Sequence, residues 1–518
     1  MRMLALFAGS ALGSLAAAPL ALANEAPTPA AGAADAGDAQ SGGTNDGHSF
    51  PSTQIVVSAP YERDRQLVAS AVTVLQGDDL QLQQRSTIGE TLARQPGVSS
   101  TFFGPNASRP ILRGLDAERV RVLTDGIGSF DVSNTSVDHA VATNALLADR
   151  IEILRGPAAL LYGSGAIGGV VNMRDLRIPR EVPEAGPHVD AVAGVASAAE
   201  ERNIAASINA PLGGGFVAHV DGSFFESGNY RTGGFVFSKD LRDEAAEEGG
   251  EVAEEAQARG RLPNTAARTW DVAGGLGWIG QDGANFGFAV SHLENRYGIP
   301  NSLDLPHEDH DEEAEAGEEE GHGHESDITL NMRQTRVDVR GAVPLGGAFK
   351  ELKLRGGWAD YRHDEIESTG EIGTSFFNKS WEARAELVQA ERKGWQGATG
   401  VQYFSRNFSA VGEEAYIPAN ETRQIGLFTL QEFDLGVARL EAGARYEHAN
   451  VKSDVIGRER SFDSVSVSLG GSVDLGGGFR FALSGARSER APSAEEMFAN
   501  GAHAATGAVE IGNPDFRK

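Results

Sequence analysis

Residues 149–172 read DRIEILRGPAALLYGSGAIGGVVN. They open on a short apolar alternation, Ile151 and Ile153, as a half-buried strand does. Arg155-Gly156-Pro157 then turns the chain, Ala158 to Tyr162 offers one turn of helix formers, and a glycine-punctuated strand follows. Four glycines between 163 and 169 allow φ > 0 and close backbone approach. Strand, turn, short helix and glycine-rich strand in this order predict the closing part of a compact α/β unit.

Working upstream, the same unit starts near Val72-Thr73-Val74-Leu75, a predicted strand. Ser86 is placed to cap a helix running through Leu92, with Glu90 near its start. Val120-Arg121-Val122-Leu123 predicts another strand, ended by an Asp125-Gly126 turn. Residues 24–52 are rich in Ala, Gly, Pro, Asp and Ser without apolar periodicity and predict a flexible linker. Residues 1–23 combine Arg2, an apolar stretch and Ala21-Leu22-Ala23, the pattern of a cleaved secretory signal. Between linker and α/β unit stands Gln54-Ile55-Val56-Val57-Ser58-Ala59, a brief β-prone run able to add itself to a partner's sheet edge.

Downstream of His188 the texture changes to long period-2 alternation, which predicts half-buried strands. Thirteen candidates fall at about 188–198, 202–209, 216–226, 268–279, 284–295, 329–341, 349–365, 375–390, 394–409, 422–433, 435–452, 461–473 and 479–490. Tight glycine-bearing turns such as Pro211-Leu212-Gly213-Gly214 alternate with longer links, two of them (227–267 and 296–328) very long. Short turns at one end and long loops at the other are the pattern of an outer-membrane barrel, whose strands carry one polar, lumen-facing side. Beyond the N-terminus no apolar window approaches the twenty residues that a membrane helix needs. The 518-residue chain has no cysteine, so any metal must be held by His, Asp or Glu. Its net charge of −28 disfavours nucleic acid and favours cations over anionic ligands.

The order of motifs resembles the TonB-dependent outer-membrane receptors across nearly the whole mature chain. Arg113-Gly114-Leu115, Val122-Leu123-Thr124-Asp125-Gly126, Ile151 through Pro157, Leu161-Tyr162-Gly163 and Gly168-Gly169-Val170-Val171-Asn172 look like that family's plug domain. The resemblance implies a plug (60–180) inside a transmembrane antiparallel β-barrel (187–518) of 22 strands, of which about thirteen are present; a C-terminally incomplete chain is the expectation. It implies that Gln54, Ile55, Val56, Val57 and Ser58, within a TonB box at 53–59, contact TonB, and that outer-membrane lipid surrounds the barrel. Within the family the chain is most similar to the ZnuD-type zinc-uptake receptors. Ser136-Val137-Asp138-His139-Ala140, Tyr361-Arg362-His363-Asp364-Glu365 and residues 500–506 (NGAHAAT) carry that likeness.

Candidate chemistry follows from topology. If the strand at 188 starts on the periplasmic side, every tight turn lies there and every long link faces outward. Glu365 then sits at the outer end of its strand, on the face it shares with Glu351, Lys353 and Arg355, and with His363 it points into the lumen. His503 lies in an external loop. Asp138, His139, Glu365 and His503 form a plausible four-ligand N/O site of the kind zinc takes, and in ZnuD-type receptors the matching positions are zinc ligands. Residues 305–327, LPHEDHDEEAEAGEEEGHGHESD, bring His307, His310, His322 and His324 among dense carboxylates, a loose zinc trap; these four and the lumen-facing His363 are accessory metal candidates. His448 shares parity with Leu440 and Tyr446 and is expected on the outer surface. The alternative cargo is haem or an iron siderophore, because Arg490-Ala491-Pro492 and Gly512-Asn513-Pro514-Asp515 look like the boxes around a haem-ligating histidine. Against it, acidic segments at 240–255 and 304–327 repel propionates. No nucleophile–base arrangement is left over to suggest an enzyme.

Overall fold

Alternation from residue 188 onward builds one antiparallel sheet of thirteen strands, each paired with its neighbour in chain order, from His188–Ala196 to Phe479–Arg487. The computed structural model describes residues 55–56, 61, 63–64, 72–300, 303, 327–412, 415–503, 506 and 508–518. The expected signal, the linker, Gln54, Val57, Ser58 and the histidines at 307, 310, 322 and 324 lie outside the described residues. Among the described residues the first and last strands of the sheet do not pair with each other.

Phe349–Ile366, Ile372–Gln389 and Trp395–Gly412 have 18 residues each. Along the first, Leu354 and Trp358 are exposed on one face, while Ala359, Tyr361, His363 and Glu365 are buried on the other. Apolar outside and polar inside is the inverse of a soluble sheet and the signature of a barrel wall. The outer face turns polar toward the long-loop end: Asp360 meets Lys379 at 3.3 Å, and His448 meets Asp463 at 2.9 Å. His448 is therefore a surface residue, as its parity required. The link after Phe216–Ser227 folds locally, into helices Lys239–Glu248 and Gly250–Glu255 above a hairpin of Arg231–Phe235 and Arg259–Arg261.

The plug is a five-stranded sheet in the order Val72–Gln76, Arg150–Leu154, Gly169–Arg174, Val120–Thr124, Ile127–Gly128. Residues 149–172 thus supply two of its inner strands. The helical turn between them is a 3₁₀ helix, Pro157–Tyr162, with all six residues buried. It packs on Phe428 and Leu430 of the wall. Gly169 has φ +140°, and a Cβ there would meet the Leu154 carbonyl at 2.7 Å, so only glycine lets the two strands approach. The expected cap Ser86 proves wrong by one residue. Thr87 accepts from Glu90 N–H and caps Ile88–Leu92, whereas the Ser86 hydroxyl donates to the Pro105 carbonyl. The helix Gly77–Gln83 was not legible, because it buries only Leu80 and so shows no apolar period.

Between plug and wall runs an exit strap, residues 175–187. Its backbone lies in a groove made by missing side chains: a Cβ on Gly275 would stand 1.8 Å from the Arg177 carbonyl. The Arg177 guanidinium is bidentate to Asp221 at 3.0 and 3.1 Å and also donates to Asp271. Burial opposes its charge, but Asp271, Asp221 and Asp175 hold it protonated, well above the ordinary arginine range. Removing one partner of a buried ion pair costs about 3–5 kcal/mol. Arg177→Met should therefore lower the thermal unfolding midpoint and make the strap an early proteolysis site; an unchanged melting curve would contradict this account.

Candidate metal centre

The plug loop that carries Asp138 and His139 is held on all sides. Asp131 accepts from Ser133 N–H at 3.0 Å and from Ala142 N–H at 3.0 Å, closing the loop on itself. Arg109 donates to the carbonyls of Ser133 and Ser136. From the wall, Asn378 donates to the Phe130 carbonyl at 3.0 Å. Tyr297 accepts from Ala140 N–H at 2.8 Å and donates to the Asp138 carbonyl at 2.9 Å. Such a scaffold fixes the two adjacent side chains before any ligand arrives.

Glu365 reaches this loop from the outer end of Phe349–Ile366, and His503 from the short strand Asn500–His503 of an external link. Each of Asp138, His139, Glu365 and His503 offers one ligand atom, and these atoms all lie within 4.8 Å of one another. Asp138, His139 and His503 are 0% exposed, and Glu365 is 5% exposed. Glu365 Oε1 stands 3.2 Å from His139 Nε2 and 3.3 Å from His503 Nε2, and His139 Nε2 stands 3.5 Å from Asp138 Oδ2. Donors about 2.0–2.2 Å from one tetrahedral ion would be about 3.3–3.6 Å apart, so the spacing suits a single small cation. The back of each imidazole is held too. His139 Nδ1 meets the Val132 carbonyl at 3.2 Å, which leaves the Nε2 lone pair facing inward when Nδ1 carries the proton. His503 Nδ1 lies 3.2 Å from the hydroxyls of both Ser136 and Thr506. Ser136 also donates to Asp138 Oδ1, leaving Oδ2 without a hydrogen-bond partner.

With the geometry in view, two family profiles match the chain: the TonB-dependent receptor plug domain over residues 64–170 and the TonB dependent receptor-like β-barrel over residues 219–518. The chain belongs to the TonB-dependent receptor family. Among solved structures, the receptor is similar to the copper transporter OprC, with TM-score 0.65 and 14% identity over 85% of this chain and 66% of that one. It is also similar to the ferric-catecholate import receptor Fiu of E. coli K12 (TM-score 0.60, 14% identity, 83% and 71%). The FrpB iron transporter of Neisseria meningitidis gives TM-score 0.62 and 14% identity over 81% and 64%. These likenesses are of fold. The receptor spans less than two thirds of OprC and of FrpB.

The four residues singled out in the sequence are thus brought together, and His363, placed among the accessory candidates, stands beside them. Ile55–Val56 pairs antiparallel with Arg63–Asp64. The orienting groups Tyr297, Ser136 and Thr506 were missed as such. Tyr297 fell in the link expected at 296–328, whereas the strand runs on to Gly298; Ser136 and Thr506 lay within the quoted motifs, but no sequence rule aims a hydroxyl at a particular ring nitrogen. The two boxes flanking His503 shape its link: Arg490 donates to Glu496 Oε2 at 2.8 Å, and Asn513 N–H to the Glu496 carbonyl at 2.9 Å.

Electrostatics make one prediction for the ion-free receptor. Burial lowers the His503 pKa, but Asp138, Glu365 and Glu510 outweigh it and raise the value from 6.5 to about 9. The folded value exceeds the unfolded one, so this contribution to stability is complete below pH 6.5 and is lost as pH rises through about 9. NMR titration of labelled histidine should find the His503 imidazole protonated at neutral pH, and Glu365→Gln should bring its midpoint down. A neutral His503 at pH 7 would refute the charge balance drawn here.

Proposed function

We propose that this protein is an outer-membrane receptor that imports zinc ions into the periplasm, energised by TonB acting on residues 53–59 near its N-terminus, and that it is of the ZnuD type. The observation that carries the reading is the shared centre: two donors from the plug, one from the wall and one from an external link, all buried within one ion's reach. Two imidazoles and two carboxylates, without thiolate, form a donor set that zinc accepts, and two carboxylates neutralise a divalent cation without excess charge. A net charge of −28 and the acidic 304–327 segment raise the local concentration of cations. Because Asp138 and His139 belong to the plug and Glu365 and His503 do not, movement of the plug separates the two halves of the centre and frees the ion inward. No bond in the cargo is made or broken.

Zinc calorimetry on the receptor tests this. His139→Ala and His503→Ala should weaken the tight site by at least about 100-fold, whereas deleting residues 304–327 should remove only weaker sites. If both point variants bind zinc like wild type while haem binding disappears in His503→Ala, the cargo is haem and the zinc reading fails.

A protonated imidazole cannot ligate, so zinc must displace the His503 proton. Apparent affinity should climb about tenfold per pH unit toward the His503 midpoint of about 9 and level off above it. Binding heats at pH 7 should correspondingly depend on the ionisation enthalpy of the buffer.

A further inference from the structure

His363 is a buried imidazole with one nitrogen left over. It is 1% exposed, on the same lumen-facing side of Phe349–Ile366 as Glu365, two residues away. Its Nδ1 lies 3.0 Å from the Tyr361 hydroxyl, itself fully buried. Its Nε2 has no hydrogen-bond partner and stands 3.6 Å from Glu365 Oε1, the oxygen that His139 and His503 also approach. The ring is stacked on Phe376 at 4.5 Å and edge-on to His139 at 4.3 Å between centroids.

Buried polar atoms normally find a partner, and an exception calls for an explanation. Two unpartnered atoms belong to this one cluster, Asp138 Oδ2 and His363 Nε2. When Nδ1–H donates to Tyr361, the Nε2 lone pair is free; this is the arrangement in which a second-sphere acceptor orients a metal-binding histidine. The 3.6 Å separation from Glu365 falls within the range of donor–donor distances around one ion. His363 stands outside the four residues whose ligand atoms all lie within 4.8 Å of one another, so its ligation requires the ring to move toward the ion.

We propose that His363 is a fifth donor to the ion, so that the centre holds it with three imidazoles and two carboxylates. The inference rests on the metal reading of the four-residue centre and deepens it. A fifth neutral donor adds no charge, so two carboxylates still balance a divalent cation. It shifts the preference away from a strictly four-coordinate site, and gives the wall and external link three donors against the plug's two.

X-ray absorption at the zinc edge counts bound imidazoles and is independent of transport. The sample is the receptor lacking residues 304–327, loaded with one equivalent of zinc, beside His363→Gln and His363→Phe in the same background. Three imidazoles in the parent and two in both variants, with zinc held on the order of 10–100-fold more weakly, is the expected result. Two imidazoles in the parent overturns the proposal even if neither variant folds, and so does an unchanged count in a folded variant. Failure of the underlying reading is a separate result: the parent would bind no zinc tightly, or His139→Ala would bind it equally well.

Discussion

A carboxylate removed from water must be met by positive charge or by donors, and the fold is organised around where that requirement is satisfied. In the lower lumen arginines satisfy it. Arg384 meets Glu386 at 2.6 Å, Arg445 meets Glu447 at 2.6 Å, and Arg177 joins Asp221 and Asp271. Each arginine also grips the plug or belongs to it: Arg384 and Arg445 both donate to the Leu161 carbonyl. At the outer centre the partners of Asp138 and Glu365 are imidazoles and a hydroxyl. Their charge is adjustable, so the same carboxylates can be balanced by a proton on His503 or by an ion.

One oxygen concentrates this exchange. Glu365 Oε1 has three imidazole nitrogens at 3.2 to 3.6 Å, contributed by plug, wall and external link. Three parts of the chain far apart in sequence are therefore coupled through one atom. The surrounding apolar groups Phe376, Tyr416 and Met332 keep the dielectric low and strengthen each of these interactions.

Much of this was legible in the sequence because a barrel wall obeys a period of two. Parity alone put His363 and Glu365 inside and His448 outside, and alternation located thirteen strands to within a few residues of their ends. The plug was harder. Its strands are short, its helix Gly77–Gln83 has one buried residue, and the choice between Ser86 and Thr87 as cap turned on hydrogen bonds that two adjacent hydroxyls compete for. Resemblance, rather than spacing, joined Asp138 and His139 to Glu365 and His503, since three segments separated by more than a hundred residues share no local pattern. The rank of His363 was illegible for a different reason: only an orphaned nitrogen distinguishes a ligand from a packed histidine.

The exit strap gives the plug a mechanical polarity. Its C-terminal end is clamped to the wall by the Arg177 ion pairs and seated against Gly275. Its N-terminal end enters through Val72–Gln76, an edge strand hydrogen-bonded to one neighbour, Arg150–Leu154. A tensile load applied at the N-terminus meets the Ile55–Val56 pairing and the Tyr61 contact with Glu432 of the wall, then this edge ladder, and reaches the Arg177 anchor last. A plug displaced by such a load stays tethered to the wall through Arg177, so that after release it returns against a fixed reference instead of searching for its place in the lumen.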